Sequence, residues 1–248
     1  MANRLIVLPT YNEAENIQQL LPRIFKYVPD ISVLVVDDGS PDGTAEIAKS
    51  FRDAFPKLQV INQGFKGGLG TAYRFGFLWG LSRNFDELIE MDADMSHRVR
   101  DLLTMIEMKS RVGANLVIGS RWISGGEIEN WSKGREILSR FANRYVRTIL
   151  NLKINDSTSG FRIYDANLLR DIGVESIRSN GYTFQIEMTR AARKNGAKIV
   201  EVPITFRERE NGSSKMSKLI VLEAILLVTF WGLMRVIKAK YPGGGGGI

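Results

Sequence analysis

The chain has 248 residues, 44% of them hydrophobic and 25% charged, which fits one large globular domain with a substantial core and argues against disorder. An excess of 34 Lys and Arg over 27 Asp and Glu gives a net charge of +7 and indicates an anionic partner: a phosphorylated small molecule, a nucleic acid or a lipid surface. The absence of cysteine excludes disulfides and cysteine-ligated metals. The start, MANRLIVLPT, lacks a secretory signal, so we expect an intracellular protein.

Short β-branched runs alternate with longer helical segments along the first half of the chain. The predicted strands are 4–9, 31–38, 58–62, 86–92 and 114–120. The spans between them are long enough for crossover helices, and this alternation predicts a mostly parallel α/β sheet. Asn12 and Glu15 have the spacing of a capping box, which predicts that Asn12 caps the first helix.

The pattern changes after residue 120. The predicted elements there are a long basic helix, a second helix and a pair of strands, at 132–152, 183–195 and 198–206. An apolar segment at 218–240 predicts a C-terminal helix, and we interpret 241–248, which contains GGGGG, as a flexible tail. We therefore expect a main domain over 1–217, followed by this helix and the tail.

The stretch EMDADMSH (90–97) places Glu90, Asp92 and Asp94 on alternate residues at the end of a predicted strand. In an open parallel sheet, ligands bind outside the carboxyl ends of the strands. Two carboxylates held close together at that edge repel each other unless one is protonated or a cation neutralises both. Mg²⁺ or Mn²⁺ binds carboxylate oxygens and keeps positions free for phosphates, so the pair predicts a metal that holds a phosphate.

Other polar clusters lie at the same predicted edge. PTYNE (9–13) and VVDDGSPDGT (35–44) each follow a strand, and turn chemistry alone explains the second as a tight connection. The Gly-rich stretch GFKGGLGTA (64–72) matches neither the P-loop nor the GxGxxG fingerprint. Two explanations fit this stretch: its glycines let the backbone pass close to a ligand at the start of a helix, or they serve packing alone.

Taken together, the ordered motifs resemble those of one family. PTYNEAENI, VVDDGSPDGT, GLGTAYRFGF, EMDADMSH, VIGSRW, GREILSR, DSTSGFRIY and VPITFRERENGSSKMS occur in the order seen in the dolichol- or polyprenol-phosphate mannosyltransferases, which are inverting family 2 glycosyltransferases. The resemblance covers residues 4–218, and TSGFR with the Arg-then-SK block is its most specific part. It implies the GT-A fold, a Rossmann-like, twisted, mostly parallel sheet flanked by helices, to which the apolar segment at 218–240 adds the predicted C-terminal helix.

The resemblance also implies a role for each matched residue. The positions implied to hold the nucleoside of the donor are Pro9, Tyr11, Glu13, Val36 and Asp38. The acidic motif is matched by Asp92, Ala93 and Asp94, with Asp94 as the expected direct metal ligand and Ser96 where some members have a further glutamine ligand. The lipid phosphate is implied to bind Arg121, Arg135 and Ser139, and the donor diphosphate to bind Arg209 and Lys215.

The implied reaction is transfer of mannose from GDP-mannose to a polyprenol or dolichol monophosphate, with Mg²⁺ or Mn²⁺ bound and with inversion. A phosphate monoester has a second pKa of about 6, so it is already ionised and needs little help from a base. We therefore expect Asp156 to orient Arg162 rather than to act as the base, which is the alternative. A polyprenol-phosphate glucosyltransferase or other glycosyltransferase that uses a UDP-sugar is a second interpretation. A non-catalytic anion- or RNA-binding module, in which the acidic motif is only a turn, is a third.

Some conspicuous residues have simpler interpretations. His97 is the only histidine, and we expect it to cap a helix or make a surface contact. Tyr73, Phe75, Phe77 and Trp79 lie in a predicted helix, where packing is the default. The basic residues of 132–152 are interpreted as a face turned to solvent or to anionic lipid, and we expect no nucleic-acid partner.

The C-terminal segment bears on how the protein would associate with the membrane that contains its lipid acceptor. Its uncharged run, from Ala224 to Met234, is shorter than the ~20 residues that a spanning helix needs. We favour a helix that lies on the membrane surface or docks on an anchoring partner subunit; a marginal spanning helix and a core helix are the alternatives. These expectations place the protein at the cytoplasmic face of the membrane.

Overall fold

The computed structural model describes residues 2–208 and 218–240. The strands are β1 Arg4–Thr10, β2 Ser32–Asp37, β3 Leu58–Asn62, β4 Glu87–Glu90, β5 Leu116–Ser120, β6 Glu127–Glu129, β7 Arg162–Asp165, β8 Ile199–Pro203 and β9 Thr205–Arg207. The helices are α1 Ala14–Tyr27, α2 Thr44–Ser50, α3 Leu69–Leu81, α4 Val99–Val112, α5 Lys133–Ile149, α6 Ala166–Ile172, α7 Gly181–Lys194 and α8 Lys218–Lys240, with one 3₁₀ turn at Val174–Ser176.

A seven-stranded sheet with the strand order β3-β2-β1-β4-β7-β5-β8 forms the centre of the molecule. The side chains of each strand point alternately to the two faces of the sheet, and apolar side chains on both faces are buried under helices. Ile6 and Leu8 pack under α1, α2 and α4, whereas Leu5 and Val7 pack under α3, α6 and α7. Gly76 lets α3 approach β1 closely, since a Cβ there would overlap the Val7 side chain. The predicted mostly parallel α/β sheet is confirmed.

Most predicted elements are confirmed with small changes in their bounds. The five strands of the first half are present, and the helices predicted at 132–152 and 183–195 are α5 and α7. Strand β4 ends at Glu90, so Asp92 and Asp94 lie in the turn that follows the strand. The strand pair predicted at 198–206 divides between two sheets, because β8 joins the main sheet and β9 pairs with β6.

Strand β7 was not predicted. It is antiparallel to both of its neighbours and lies between β4 and β5, with Arg162 opposite Glu90 and Ile118. Its four residues, RIYD, include a charged residue at each end, and they are not part of a longer apolar run. Its position matters because it brings the DSTSGFR segment to the edge of the sheet where β4 ends.

The capping box predicted at Asn12 and Glu15 is wrong. Asn12 adopts a positive φ of 59°, and α1 begins at Ala14 without a side-chain cap. The N–H of Ala14 donates instead to Asp42 Oδ2, 3.1 Å away, in the turn after β2. Burial raises the pKa of Asp42, but hydrogen bonds from Thr44 and Ala14 outweigh it and hold the pKa below its usual value. The turn after β2 therefore caps α1 and lies beside the end of β1.

Helix α8 packs against α5 and α7. Val228 is buried in a small cluster with Val146, Leu150, Leu152 and Ile186, and the hydroxyls of Tyr145 and Thr229 are 2.6 Å apart. Within 2–208 and 218–240, no helix is long and apolar enough to cross a membrane. Residues 209–217 and the predicted tail at 241–248 lie outside the described residues, and the division of the chain into a main domain, helix and tail stays a prediction.

Candidate active site

A cavity of about 450 Å³ opens where β1, β2 and β4 end. It is lined by most of the residues expected to bind the donor, namely Pro9, Tyr11, Glu13, Asp38, Asp92, Ala93 and Asp94. The structure therefore brings together three segments that are far apart in the sequence. Among the described residues of this set, Val36 is the exception, because its side chain is fully buried in the core and does not line the cavity.

The Gly-rich segment before α3 forms another wall of this cavity. The N–H of Gly68 donates to Asp38 Oδ2 at 2.7 Å, and the φ of 85° at Gly68 is one that favours glycine. Lys66 was not predicted as a site residue, although it also lines the cavity and its ammonium lies 4.0 Å above the Tyr11 ring. The sequence signal that could have identified Lys66 is a cation in a Gly-rich loop next to a strand end.

The acidic turn after β4 is held by hydrogen bonds to both aspartates. Tyr73 donates from its hydroxyl to Asp92 Oδ1 at 3.2 Å, and the N–H of Ser96 donates to Asp94 Oδ1 at 3.1 Å. Tyr73 is fully buried; burial and the nearby Asp92 raise its pKa well above the usual value, so it remains a donor. Tyr73 packs in the core as predicted, and it also orients the acidic pair, which was not predicted.

His97 supports the same turn from the other side. It is buried and stacks on Phe161 at 4.7 Å, so the surface contact proposed for it is wrong. Burial lowers its pKa to about 4 against the opposing effect of Asp94, which keeps the imidazole neutral. Its Nδ1 accepts the N–H of Asp92 at 3.2 Å. His97 is therefore a structural support for the backbone of the turn.

The acidic turn supplies two carboxylates and one hydroxyl that could bind a divalent cation. Among the described residues, no group of three or more His, Cys, Asp or Glu could hold a metal ion. Asp92 and Asp94 supply two carboxylates, and Ser96 Oγ next to them is buried with no hydrogen-bond partner in the described part of the chain. Two carboxylates suit an ion such as Mg²⁺, which takes further oxygens from water and substrate phosphates.

Glu90, the first carboxylate of the motif, does not face the cavity. It is fully buried, and burial raises its pKa to about 8 although Arg162 opposes the shift. Arg162 is also fully buried, and it donates to the carbonyls of Ser157 and Ser159 at 2.8 and 2.7 Å. Arg162 therefore positions the segment that precedes β7.

Asp156 pairs with Arg121, so the expectation that it orients Arg162 is wrong. Arg121 Nε and Nη2 each lie 2.7 Å from one oxygen of the Asp156 carboxylate, and the Arg121 N–H donates to Oδ2 at 3.0 Å. Both side chains are buried. Burial raises the pKa of Asp156, but the charge and hydrogen bonds of Arg121 outweigh it and keep the pKa below its usual value. A carboxylate engaged in this way orients Arg121 and is a poor base.

A second cavity, of about 270 Å³, lies between α5, α7 and α8. All three residues expected to bind the acceptor phosphate line it: Arg121, Arg135 and Ser139. Much of the remaining lining is apolar, from residues such as Leu138, Phe141, Val146, Ile186, Ile225 and Val228. Thr158 and Tyr182 line both cavities, so the polar cavity and the apolar one adjoin.

Arg135 lies at the polar end of the second cavity. Its Nη1 is 2.5 Å from Glu208 Oε1, and its guanidinium stacks 4.1 Å above the Trp131 ring. Ser132 caps α5 by accepting the N–H of Arg135, which fixes Arg135 in the first turn of that helix. Arg209 and Lys215, expected to bind the donor diphosphate, lie outside the described residues.

Comparison with known proteins decides the family. Residues 5–173 match the family described as Glycosyl transferase family 2. The chain belongs to this family. It is 45% identical over 230 residues to the polyprenol monophosphomannose synthase of Mycolicibacterium smegmatis, covering 92% of this chain and 86% of that protein. It is 47% identical over 229 residues to the undecaprenyl-phosphate mannosyltransferase of Micrococcus luteus, covering 92% and 93%.

Solved structures show the same fold. Glucosyl-3-phosphoglycerate synthase from Mycobacterium tuberculosis, solved with Mn²⁺ and UDP-glucose, superposes with a TM-score of 0.66 at 18% identity, over 92% of this chain and 79% of that chain. Mannosyl-3-phosphoglycerate synthase from Rubrobacter xylanophilus gives 0.63 at 19% identity, over 100% and 77%. The fold is therefore GT-A. Because the chain belongs to glycosyltransferase family 2, it is a glycosyltransferase, and the interpretation as a non-catalytic RNA-binding module is wrong.

Proposed function

We propose that this glycosyltransferase moves mannose from GDP-mannose to a polyprenol monophosphate and produces a β-linked lipid phosphate mannose. The observation that carries the proposal is the pair of adjoining cavities, one with carboxylates and one apolar with two arginines. A charged sugar nucleotide and a phosphate on an isoprenoid chain need these opposite linings. The names of the two relatives from Mycolicibacterium smegmatis and Micrococcus luteus support mannose as the sugar and a polyprenol phosphate as the acceptor.

At the donor end, Asp94 and Asp92 would hold a divalent cation, Mg²⁺ or Mn²⁺, which neutralises charge on the leaving diphosphate. Ser96 Oγ, which lies beside Asp94 without a partner among the described residues, is the further ligand in this proposal. Arg209 and Lys215 are assigned to the diphosphate, where a planar fork and a compact charge both suit phosphate oxygens. Pro9, Tyr11, Glu13 and Asp38 hold the nucleoside at the far end.

At the acceptor end, Arg121 and Arg135 bind the lipid phosphate, and Ser139 adds a hydroxyl. An oxygen of this phosphate attacks the anomeric carbon of mannose while the bond from that carbon to the diphosphate breaks. One displacement in line inverts the anomeric centre. Because the phosphate is already ionised, the step needs no protein base, which agrees with the engagement of both oxygens of Asp156 by Arg121.

The acceptor cavity lies beside an exposed apolar surface on α5 and α8. Large side chains on this surface are strongly exposed, including Ile137 at 67%, Phe141 at 66% and Leu226 at 62%. Lys133 and Arg140 lie on the same helix as the first two. An apolar surface on a helix that also carries cations suits a leaflet with anionic lipids, so we assign it to the cytoplasmic face of the membrane. An anchoring partner subunit would cover the same surface.

A transfer assay tests the proposed function. Liposomes with polyprenyl phosphate are offered labelled GDP-mannose and UDP-glucose in parallel, with Mn²⁺ or with a chelator. We expect metal-dependent mannose transfer into the lipid and none into liposomes without polyprenyl phosphate. Transfer of glucose alone would show that the donor is UDP-glucose and that GDP-mannose is wrongly assigned. Transfer to soluble 3-phosphoglycerate in place of lipid would contradict the assigned acceptor.

A further inference from the structure

A buried amide lies where the two cavities meet. Gln185 in α7 is only 2% exposed and lines the donor cavity, while its neighbour Ile186 lines the acceptor cavity. The start of α7 is thus the wall between the two cavities. In the proposed reaction the sugar occupies this place, because it is bonded to the donor diphosphate and attacked by the acceptor phosphate.

The amide of Gln185 lies in hydrogen-bonding range of the Glu90 carboxyl, whose pKa burial raises and the amide helps to lower. That contact lacks good geometry, and neither Nε2 nor Oε1 of Gln185 forms a hydrogen bond of normal geometry with any described residue. Burying a polar group without a partner is unfavourable, so such a group in a cavity wall indicates a missing partner. The backbone of Gln185 is fixed by comparison, since its carbonyl accepts from Arg162 Nη1 at 3.0 Å.

The space in front of the amide is kept open by Gly160. A Cβ on Gly160 would lie 3.6 Å from both Gln185 Nε2 and Asp92 Oδ1, so the amide and the carboxylate flank the same open space. The amide therefore lies close to the acidic turn, which is assigned to the cation that neutralises the diphosphate. An amide offers one acceptor and two donors without charge, which suits hydroxyl groups rather than phosphates.

We propose that Gln185 recognises the transferred sugar of the donor by hydrogen bonding to its hydroxyl groups. This inference rests on the proposed function for the order of donor, sugar and acceptor along the joined cavities. It assigns Gln185 to sugar specificity and leaves the nucleoside and the diphosphate to other residues. A site built to hydrogen-bond a hydroxyl discriminates against a sugar in which that hydroxyl points elsewhere.

The test compares Gln185→Met with the wild type by titration with sugar nucleotide and with its nucleoside diphosphate, both with Mn²⁺. We expect GDP to bind both proteins equally, whereas GDP-mannose binds the variant about tenfold more weakly, the effect of losing one or two hydrogen bonds. The preference for GDP-mannose over GDP-glucose should fall as well. Met keeps the volume of Gln, so the melting temperature should not fall.

Two further variants complete the test. Thr183→Val, on the same helix and also buried, does not line either cavity and should change neither affinity. Gln185→Asn keeps the amide but withdraws it by one carbon, so we expect it to lose the sugar-dependent affinity as well. Unchanged GDP-mannose affinity in Gln185→Met would overturn the proposal, and so would an equal loss for GDP. If the wild type binds UDP-glucose in place of GDP-mannose, the proposed donor is wrong, and comparison of UDP-glucose with UDP tests Gln185 in the same way.

Discussion

The buried ion pair of Arg121 and Asp156 allows a quantitative test of how the acceptor site is held. Asp156→Asn keeps the shape of the side chain but removes its charge and turns an amide N–H toward a guanidinium that is itself only a donor. Arg121, at 6% exposure, would keep a buried charge without its counter-ion. Removing one partner of a buried pair costs about 3–5 kcal/mol, and we expect the free energy of unfolding to fall by that amount.

Urea unfolding of the wild type, Asp156→Asn, Arg121→Met and the double variant measures this loss. Because both single changes break the same pair, their costs should not add. Glu46→Gln is the matched control, since Glu46 forms an exposed ion pair with Lys49 at 3.9 Å, and such pairs contribute about 0–1 kcal/mol. A loss under about 1 kcal/mol for Asp156→Asn would refute the role of the pair, because breaking a buried pair costs several times more.

The pH dependence of the same variants gives a second check. The pKa of Asp156 lies below its usual value in the folded protein, so the folded state binds fewer protons than the unfolded state in acid. Its contribution is fully present above the unfolded pKa of about 3.9 and is lost as pH falls through the lower folded pKa. The stability curves of the wild type and Asp156→Asn should therefore converge in strong acid. A constant difference would contradict the assigned cause.

Four further predictions concern the site. Asp94→Asn should remove most turnover at saturating Mn²⁺ with an unchanged melting temperature, and near-normal turnover would contradict a metal at this position. Arg135→Ala should raise the KM for polyprenyl phosphate with GDP-mannose affinity unchanged, and the opposite pattern would mean that the arginines are assigned the wrong way round. Tyr73→Phe should raise the Mn²⁺ concentration needed for half-maximal activity, and an unchanged requirement would show that Asp92 is oriented without it. Cleavage by trypsin after Arg209 and Lys215 should slow when GDP-mannose and Mn²⁺ are both present, because both residues are assigned to the donor diphosphate, and equal rates would contradict that assignment.

Local pattern was enough to predict the sheet but not every strand in it. Four of the first five strands are apolar runs of a length that periodicity detects, and β4 was found because it lies inside the longer run 86–92. Strand β7 escapes because its buried first residue is Arg162, which reads as polar although hydrogen bonds to the carbonyls of Ser157 and Ser159 satisfy it. The sequence records the residue type but not the partners that make its burial possible.

Long-range pairing explains the errors at the site. Asp156 was assigned to Arg162, six residues along the chain, whereas its partner Arg121 is 35 residues away. Tyr73 reaches Asp92 across 19 residues, and packing alone was expected of it. Motif order located the segments that form the site, because strand ends of a parallel sheet meet at one edge. It did not specify which side chains pair there, since that depends on how the segments are turned toward each other.

The three carboxylates of the acidic motif are compatible because they differ in burial. Glu90 lies inside the sheet, and a pKa of about 8 leaves it mostly protonated at neutral pH, so it adds little negative charge. Asp92 and Asp94 lie in the turn above it, where the Tyr73 hydroxyl and the Ser96 N–H each donate to one of the two carboxylates. The motif then presents two carboxylates to the cavity, a set that suits a divalent cation. A third charge there would favour the cation further but would repel the diphosphate that the proposed reaction must bring to it.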